Sequence, residues 1–164
     1  MQLKSIVAIT FSACLAQAFR LAPGTKDGVY AIQTDESGNE YAEYVGSLNT
    51  TQRRDVKLDA RDWLGCTNRL MNSGDCDSAV NSLYNYCGSG SRYVTAKMAF
   101  VQGSVFAYTC DYSGGQSCSR NEAAACYSTI TASCGHYVSG STLLGNNKNY
   151  GYDTVGSSFC GNLG

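Results

Sequence analysis

Eight of the nine cysteines fall between Cys66 and Cys160, and this stretch limits what the chain can become. An even set of cysteines in a short secreted chain reads as a disulfide framework, which supplements a small apolar core. The set is Cys66, Cys76, Cys87, Cys110, Cys118, Cys126, Cys134 and Cys160. Eight cysteines allow about 105 connectivities, and spacing alone does not choose among them. Zinc sites favour pairs separated by two to four residues. Here no two neighbours are closer than eight positions, so neither a metal site nor a cofactor is expected.

Secretion is read from the first 18 residues. Lys4 supplies a positive start, Ile6 to Leu15 is a short apolar run, and Ala16-Gln17-Ala18 fits a small-x-small cleavage site ending at Ala18. Cys14 leaves with this leader. A membrane span needs about 20 apolar residues; no run reaches that length, so an extracellular protein without a membrane span is expected.

Residues 19–54 differ from the rest. They lack cysteine, hold the only proline, Pro23, and include the acidic-polar text Thr34-Asp35-Glu36-Ser37-Gly38-Asn39-Glu40. With little apolar surface to offset chain entropy, this stretch is expected to be a disordered pro-segment. It ends in the dibasic pair Arg53-Arg54, a processing signal, and carries a glycosylation sequon at Asn49. Residues 55–164 are then a single disulfide-stabilised domain. The whole chain has 12 basic and 13 acidic residues, a net charge of −1. Without a basic cluster, neither nucleic acid nor an anionic membrane surface is an expected partner.

Local patterns give the domain its expected elements. A weak first strand covers 56–65, with the lone Trp63 assigned to the core. A helix runs from Asp75 or Asp77, either able to cap it, to Gly88, with Cys76, Ala79, Val80, Leu83 and Cys87 on one face. Residues 94–100 and 104–112 form a strand pair turning at Gly103; Phe106, Tyr108 and Cys110 share one face. Ser119 and Glu122 fit a capping box opening a second helix, whose stripe is Ala123, Cys126, Tyr127, Ile130 and Cys134 and whose stop is Gly135. Further strands are expected near 136–141 and at Tyr150 and Tyr152. Helix, Cys-Gly and Tyr-Val recur at Cys87-Gly88 and Cys134-Gly135. The expected fold is α+β: a disulfide-rich two-layer sandwich, an antiparallel sheet with two helices on one face.

The chain offers little catalytic text. His136 is the only histidine, a candidate acid or base for a small hydrolase. Glu122 is explained by capping, and Asp111 and Asp153 could form a carboxylate pair in space, yet both also read as loop or turn residues. No nucleophile-elbow, phosphate-loop or dinucleotide pattern occurs. Nine tyrosines lie in 55–164; Tyr86, Tyr150 and Tyr152 are the candidate contact surface, suited to a carbohydrate-binding role.

The leader, the acidic segment ending in Arg53-Arg54 and the eight-cysteine domain together resemble fungal small secreted cysteine-rich effector proteins. The residues that carry the likeness are Asp75-Cys76-Asp77-Ser78-Ala79-Val80, Cys87-Gly88, Cys134-Gly135, Tyr150-Gly151-Tyr152 and Ser158-Phe159-Cys160-Gly161. Some such proteins share a two-layer fold with killer toxins. The resemblance carries over no catalytic residue and implies a virulence effector or toxin-like module meeting a host or competitor protein or glycan outside the cell; a monomer is expected.

Overall fold

The computed structural model describes residues 18–47, 63–88, 92–93, 96–115 and 117–161. In chain order the elements are β1 (Phe19–Arg20), β2 (Gly28–Thr34), β3 (Glu40–Gly46), β4 (Trp63–Leu70), α1 (Ser73–Cys87), β5 (Arg92–Tyr93), β6 (Lys97–Gln102), β7 (Val105–Asp111), β8 (Ser117–Cys118), α2 (Arg120–Cys134), β9 (Val138–Leu143), β10 (Lys148–Thr154) and β11 (Ser158–Phe159). Seven strands form one antiparallel sheet in the order β3-β2-β6-β7-β10-β9-β4; β1 pairs with β11, and β5 with β8. The protein is thus mainly antiparallel sheet with two helices.

Strand β7 is buried along its whole length. Side chains alternate across a strand, so its residues feed two separate clusters. Val105 and Ala107 join Met98, Phe100, Tyr150 and Tyr152 with Leu83 of α1 and Ile130 of α2. Phe106, Tyr108 and Cys110 join Leu21, Ile32, Val101 and Phe159. The expected sharing of one face by Phe106, Tyr108 and Cys110 is therefore present. Each large side chain removed from water contributes about 1.5–3 kcal/mol, and Phe100, Phe106, Leu83 and Ile130 are all fully buried. The β6–β7 turn runs through Gly103 at φ 54°, a conformation that suits glycine.

Both helices form near their expected places, with different caps. Asn72, not Asp75 or Asp77, caps α1, its side chain accepting from the Asp75 backbone N–H at 3.0 Å. Asp75 instead reaches the β6–β7 turn, accepting from the backbone and hydroxyl of Ser104 at 2.8 Å each. Ser119 caps α2 as expected, accepting from the Glu122 N–H at 3.2 Å. The Glu122 carboxylate, however, accepts from Lys148 Nζ and Tyr150 Oη, both at 2.5 Å. That tie draws the first turn of α2 onto β10.

Three disulfides join Cys66 to Cys134, Cys87 to Cys118 and Cys110 to Cys160. They fasten β4 to the end of α2, the end of α1 to β8, and β7 to the residue after β11. Each such bridge contributes about 2–4 kcal/mol. Pairing of all eight cysteines does not hold: Cys76 is a buried free thiol, and Cys126, also buried, belongs to none of the three bridges. Cys76 faces the apolar cluster between helix and sheet, where a thiol packs as a small hydrophobe.

The expected disorder of 19–54 is overturned for its described part. Strand β2 lies between β3 and β6, and Leu21, Val29, Ala31 and Ile32 are buried. The acidic text that suggested disorder is a hairpin turn. Asp35 accepts from the backbone N–H groups of Ser37 and Asn39, and Gly38 takes φ 84°. Polar turn residues masked the apolar strand beside them. Arg53, Arg54 and Asn49 lie outside the described residues, as does the leader except Ala18, which is exposed.

Residues 18–47 contain no cysteine, so strand pairing, burial and side-chain ties such as Glu40–Lys97, and no covalent bridge, hold them. A cut after Arg54 is expected to leave this segment bound: gel filtration should show one species and denaturing mass analysis two fragments. Separation of the fragments without denaturant would contradict the β2–β6 pairing. Alkylation should miss Cys76 in the native protein and label it after denaturation without reductant. Label on native Cys76, or none after denaturation, counts against its place as a buried free thiol.

Candidate functional site

The helices run so that the end of α1 meets the start of α2. The guanidinium of Arg120 lies 5.3 Å from the centre of the Tyr84 ring, and Tyr137 Oη donates to Asp77 Oδ2 at 3.3 Å near the opposite ends. Between them is a recess of about 820 Å³ that includes His136, Asp77, Arg120 and Tyr84 at its rim and Cys76 and Tyr127 deeper in. His136 is exposed, its ring 6.3 Å from that of Tyr137. Asp77 is engaged by the Tyr137 phenol. Burial, aided by the charge of Asp77, pushes the Cys76 thiol up to about 12. A thiol so rarely ionised at neutral pH is a poor nucleophile. The groove therefore holds the expected His136 and one acid, Asp77, in the same lining, with the imidazole exposed.

The tyrosine surface expected from the sequence is not there. Tyr150 and Tyr152 are buried, and Tyr86 is half-buried with its ring 5.4 Å from Phe100. Tyr152 stacks on Tyr127 at 5.3 Å, and Tyr127 Oη donates to the Gly151 carbonyl at 3.1 Å. Their two-residue spacing correctly indicated a strand, but both point at the helices. The opposite parity of β10, Asn149, Gly151 and Asp153, faces elsewhere.

On that parity the register assembles a second recess, about 530 Å³. Three cross-strand rows build it. Cys110, Asn149, Leu143 and Trp63 form one; Tyr108, Gly151, Ser141 and Gly65 form the next. Phe106 and Asp153 continue into a third, with Thr67 alongside. The glycines let aromatic side chains lie over the sheet. A Cβ at Gly65 would stand 2.4 Å from the Trp63 ring, and one at Gly151 would stand 2.4 Å from Tyr108 Oη. Trp63 was expected in the core and is 60% exposed instead. It begins an edge strand, where its ring has the sheet on one side only.

The polar groups of this cleft are mostly engaged. Asp153 accepts from Arg69 at 2.8 Å, from Thr67 at 3.3 Å and from the Thr154 N–H at 2.7 Å. Arg69 also donates to Ser157 at 2.7 Å. Tyr112 Oη donates to the Gly161 carbonyl at 3.0 Å. The exception is Asn149: the residue is 6% exposed, and its Oδ1 is buried without a hydrogen-bond partner. A buried polar atom left unsatisfied costs about 1–3 kcal/mol.

Sequence reasoning missed Trp63, Asn149 and Asp153 as neighbours. One signal was present: Trp63 and Gly65 are two apart, so on a strand the glycine lies beside the ring on one face. Among the described residues, no group of three or more His, Cys, Asp or Glu could hold a metal ion, and no helix is long and apolar enough to cross a membrane. No protein family, no curated protein and no solved structure matches the chain.

Burial holds the phenols of Tyr108, Tyr127 and Tyr150 above their ordinary range, with the Glu122 carboxylate adding to the effect at Tyr150. Their neutral forms favour the fold. This contribution is complete below the unfolded value of about 10 and falls as pH rises beyond it. Urea midpoints should therefore drop between pH 9 and pH 11, with phenolate absorbance from these rings appearing only on unfolding. Equal midpoints, or early ionisation of all tyrosines in the folded protein, would contradict their burial.

Proposed function

We propose that this is a secreted, non-enzymatic binding module, effector-like or toxin-like, that acts outside the cell through the cleft beside Trp63. The observation that carries the reading is the combination of an exposed indole with an unsatisfied Asn149 oxygen at one recess. Binding sites typically place a few polar groups within an aromatic lining. Three disulfides suit an oxidising compartment. We infer with it the two-layer arrangement, both helices covering one face of the sheet. Leu83 and Ile130 share a cluster with Phe100, Ala107 and Tyr152, which supports this arrangement. The other face then carries the cluster around Phe106 and Phe159, with the cleft beside it. Processing after Arg54 is part of the same proposal, with residues 18–47 retained as strands.

Hydrolysis through His136 is the weaker reading, since acid–base catalysis needs a held and oriented proton carrier. Here the imidazole is exposed and Asp77, the acid of the same recess, already accepts from Tyr137.

Purified protein infiltrated into host tissue, or added to competing microbes, should cause cell death or growth arrest. Trp63→Ala should lose at least tenfold in potency and His136→Ala should lose none. An inert parent protein, or the reverse ranking of the two variants, would refute the proposal.

A further inference from the structure

We propose that the cleft binds a neutral, hydroxyl-rich ligand, a carbohydrate, with Trp63 as the stacking platform and Asn149 Oδ1 as the acceptor of a ligand hydroxyl. This rests on the binding-module reading and names the chemistry of that same site.

Charge comes first. Among the described residues of the lining the only acidic or basic side chain is Asp153, and Arg69 pairs with it at 2.8 Å. A charged ligand would find no unpaired opposite charge. Next is the polarity of the vacant group. A carbonyl oxygen accepts, so the ligand presents a donor. The hydroxyls of Ser141 and Tyr108 lie in the same lining and bond to each other, and a hydroxyl so engaged still has capacity for a further bond. A ligand with several hydroxyls matches this set. Then shape: the exposed Trp63 ring offers a flat apolar surface, which the C–H face of a sugar ring covers while its hydroxyls stay at the edges. A volume of about 530 Å³ lies within the usual range for small-ligand sites.

A peptide fits less well. Peptides that add to sheets use the unpaired backbone of an edge strand. The floor here is β10 and β9, each paired on both sides, and it offers side chains; of the seven-stranded sheet's residues in the lining, only Trp63 and Thr67 at the rim sit on an edge strand, β4. Trp63 itself is held at its backbone, where its carbonyl accepts from Thr142 Oγ1 at 3.2 Å. Gly65 is a positioning residue. Its lack of a Cβ allows the indole edge to settle against the strand, and an added methyl must move the ring.

Trp63 is the only tryptophan of the chain, so its emission reports this site alone. The full chain is titrated with chitotetraose, laminaritetraose and mannotetraose. At least one should give a saturable blue shift. Asn149→Leu should weaken binding about tenfold, as expected for one lost hydrogen bond, and Gly65→Ala should weaken it and change the emission of the free protein. Thermal melts establish that each variant is folded; if Asn149→Leu is not, Gly65→Ala carries the comparison. No saturable change with any of the three sugars overturns the proposal, as does binding that neither variant alters. Potency lost in Trp63→Ala without sugar binding overturns the ligand class and leaves the module reading standing. Sugar binding with full potency in Trp63→Ala does the opposite.

Discussion

The antiparallel register of β7 against β10 decides what every other part of this protein can do. Cys110 faces Asn149, Tyr108 faces Gly151 and Phe106 faces Asp153. Side chains have a period of two along a strand, so a slip of one residue would exchange the faces. Tyr150 and Tyr152 would leave the helices, and Asn149 and Asp153 would enter an apolar layer, Asp153 without its bonds to Arg69 and Thr67. Burial on both sides makes that slip costly. The Cys110–Cys160 bridge opposes it as well, because it ties β7 to the chain just beyond β11.

The two helices meet this register through unlike contacts. Helix α1 contributes Ala79, Leu83 and Cys87 to the apolar layer and is closed by the Cys87–Cys118 bridge. Helix α2 adds a charged tie. Lys148 is buried, and its ammonium reaches both Glu122 and the Ser117 carbonyl. A buried pair of this kind contributes little net stability when intact, yet losing one partner costs about 3–5 kcal/mol. It therefore acts against alternative placements of α2 more than it adds to stability. The Tyr150 phenol shares the same carboxylate, so a ring of the sheet and the first turn of the helix are set together.

Beyond the disulfide framework, residues 18–47 extend the sheet by two strands. Without β2 the β6 edge would carry unpaired backbone groups, an invitation to aggregation. The segment ends instead at β3, whose Tyr41 and Tyr44 are exposed and whose Glu40 pairs with Lys97 of β6 across β2. The bridges lie wholly between Cys66 and Cys160, so one part of the sheet is covalently braced and the other is held by pairing and burial.

Local signals in the sequence determined a good deal. The helix at Ser119 was legible because a serine hydroxyl satisfies a first-turn N–H wherever the helix sits, although the Glu122 half of the box went to Lys148 and Tyr150; the turn at Gly103 was legible because few residues take positive φ. The strand at Tyr150 and Tyr152 was legible from spacing alone. What spacing could not supply was direction: alternation names two faces, and only packing against α1 and α2 says which is covered. That is why Tyr150 and Tyr152 were assigned to the surface and Trp63 to the core, the reverse of their places. Likewise the cysteine count announced bridges, but a bridge forms only where folding brings two Cα atoms within about 4.4–6.8 Å. The cleft is the extreme case. Trp63, Asn149 and Asp153 are up to 90 positions apart, and cross-strand register, a property of the assembled sheet, is what makes them neighbours.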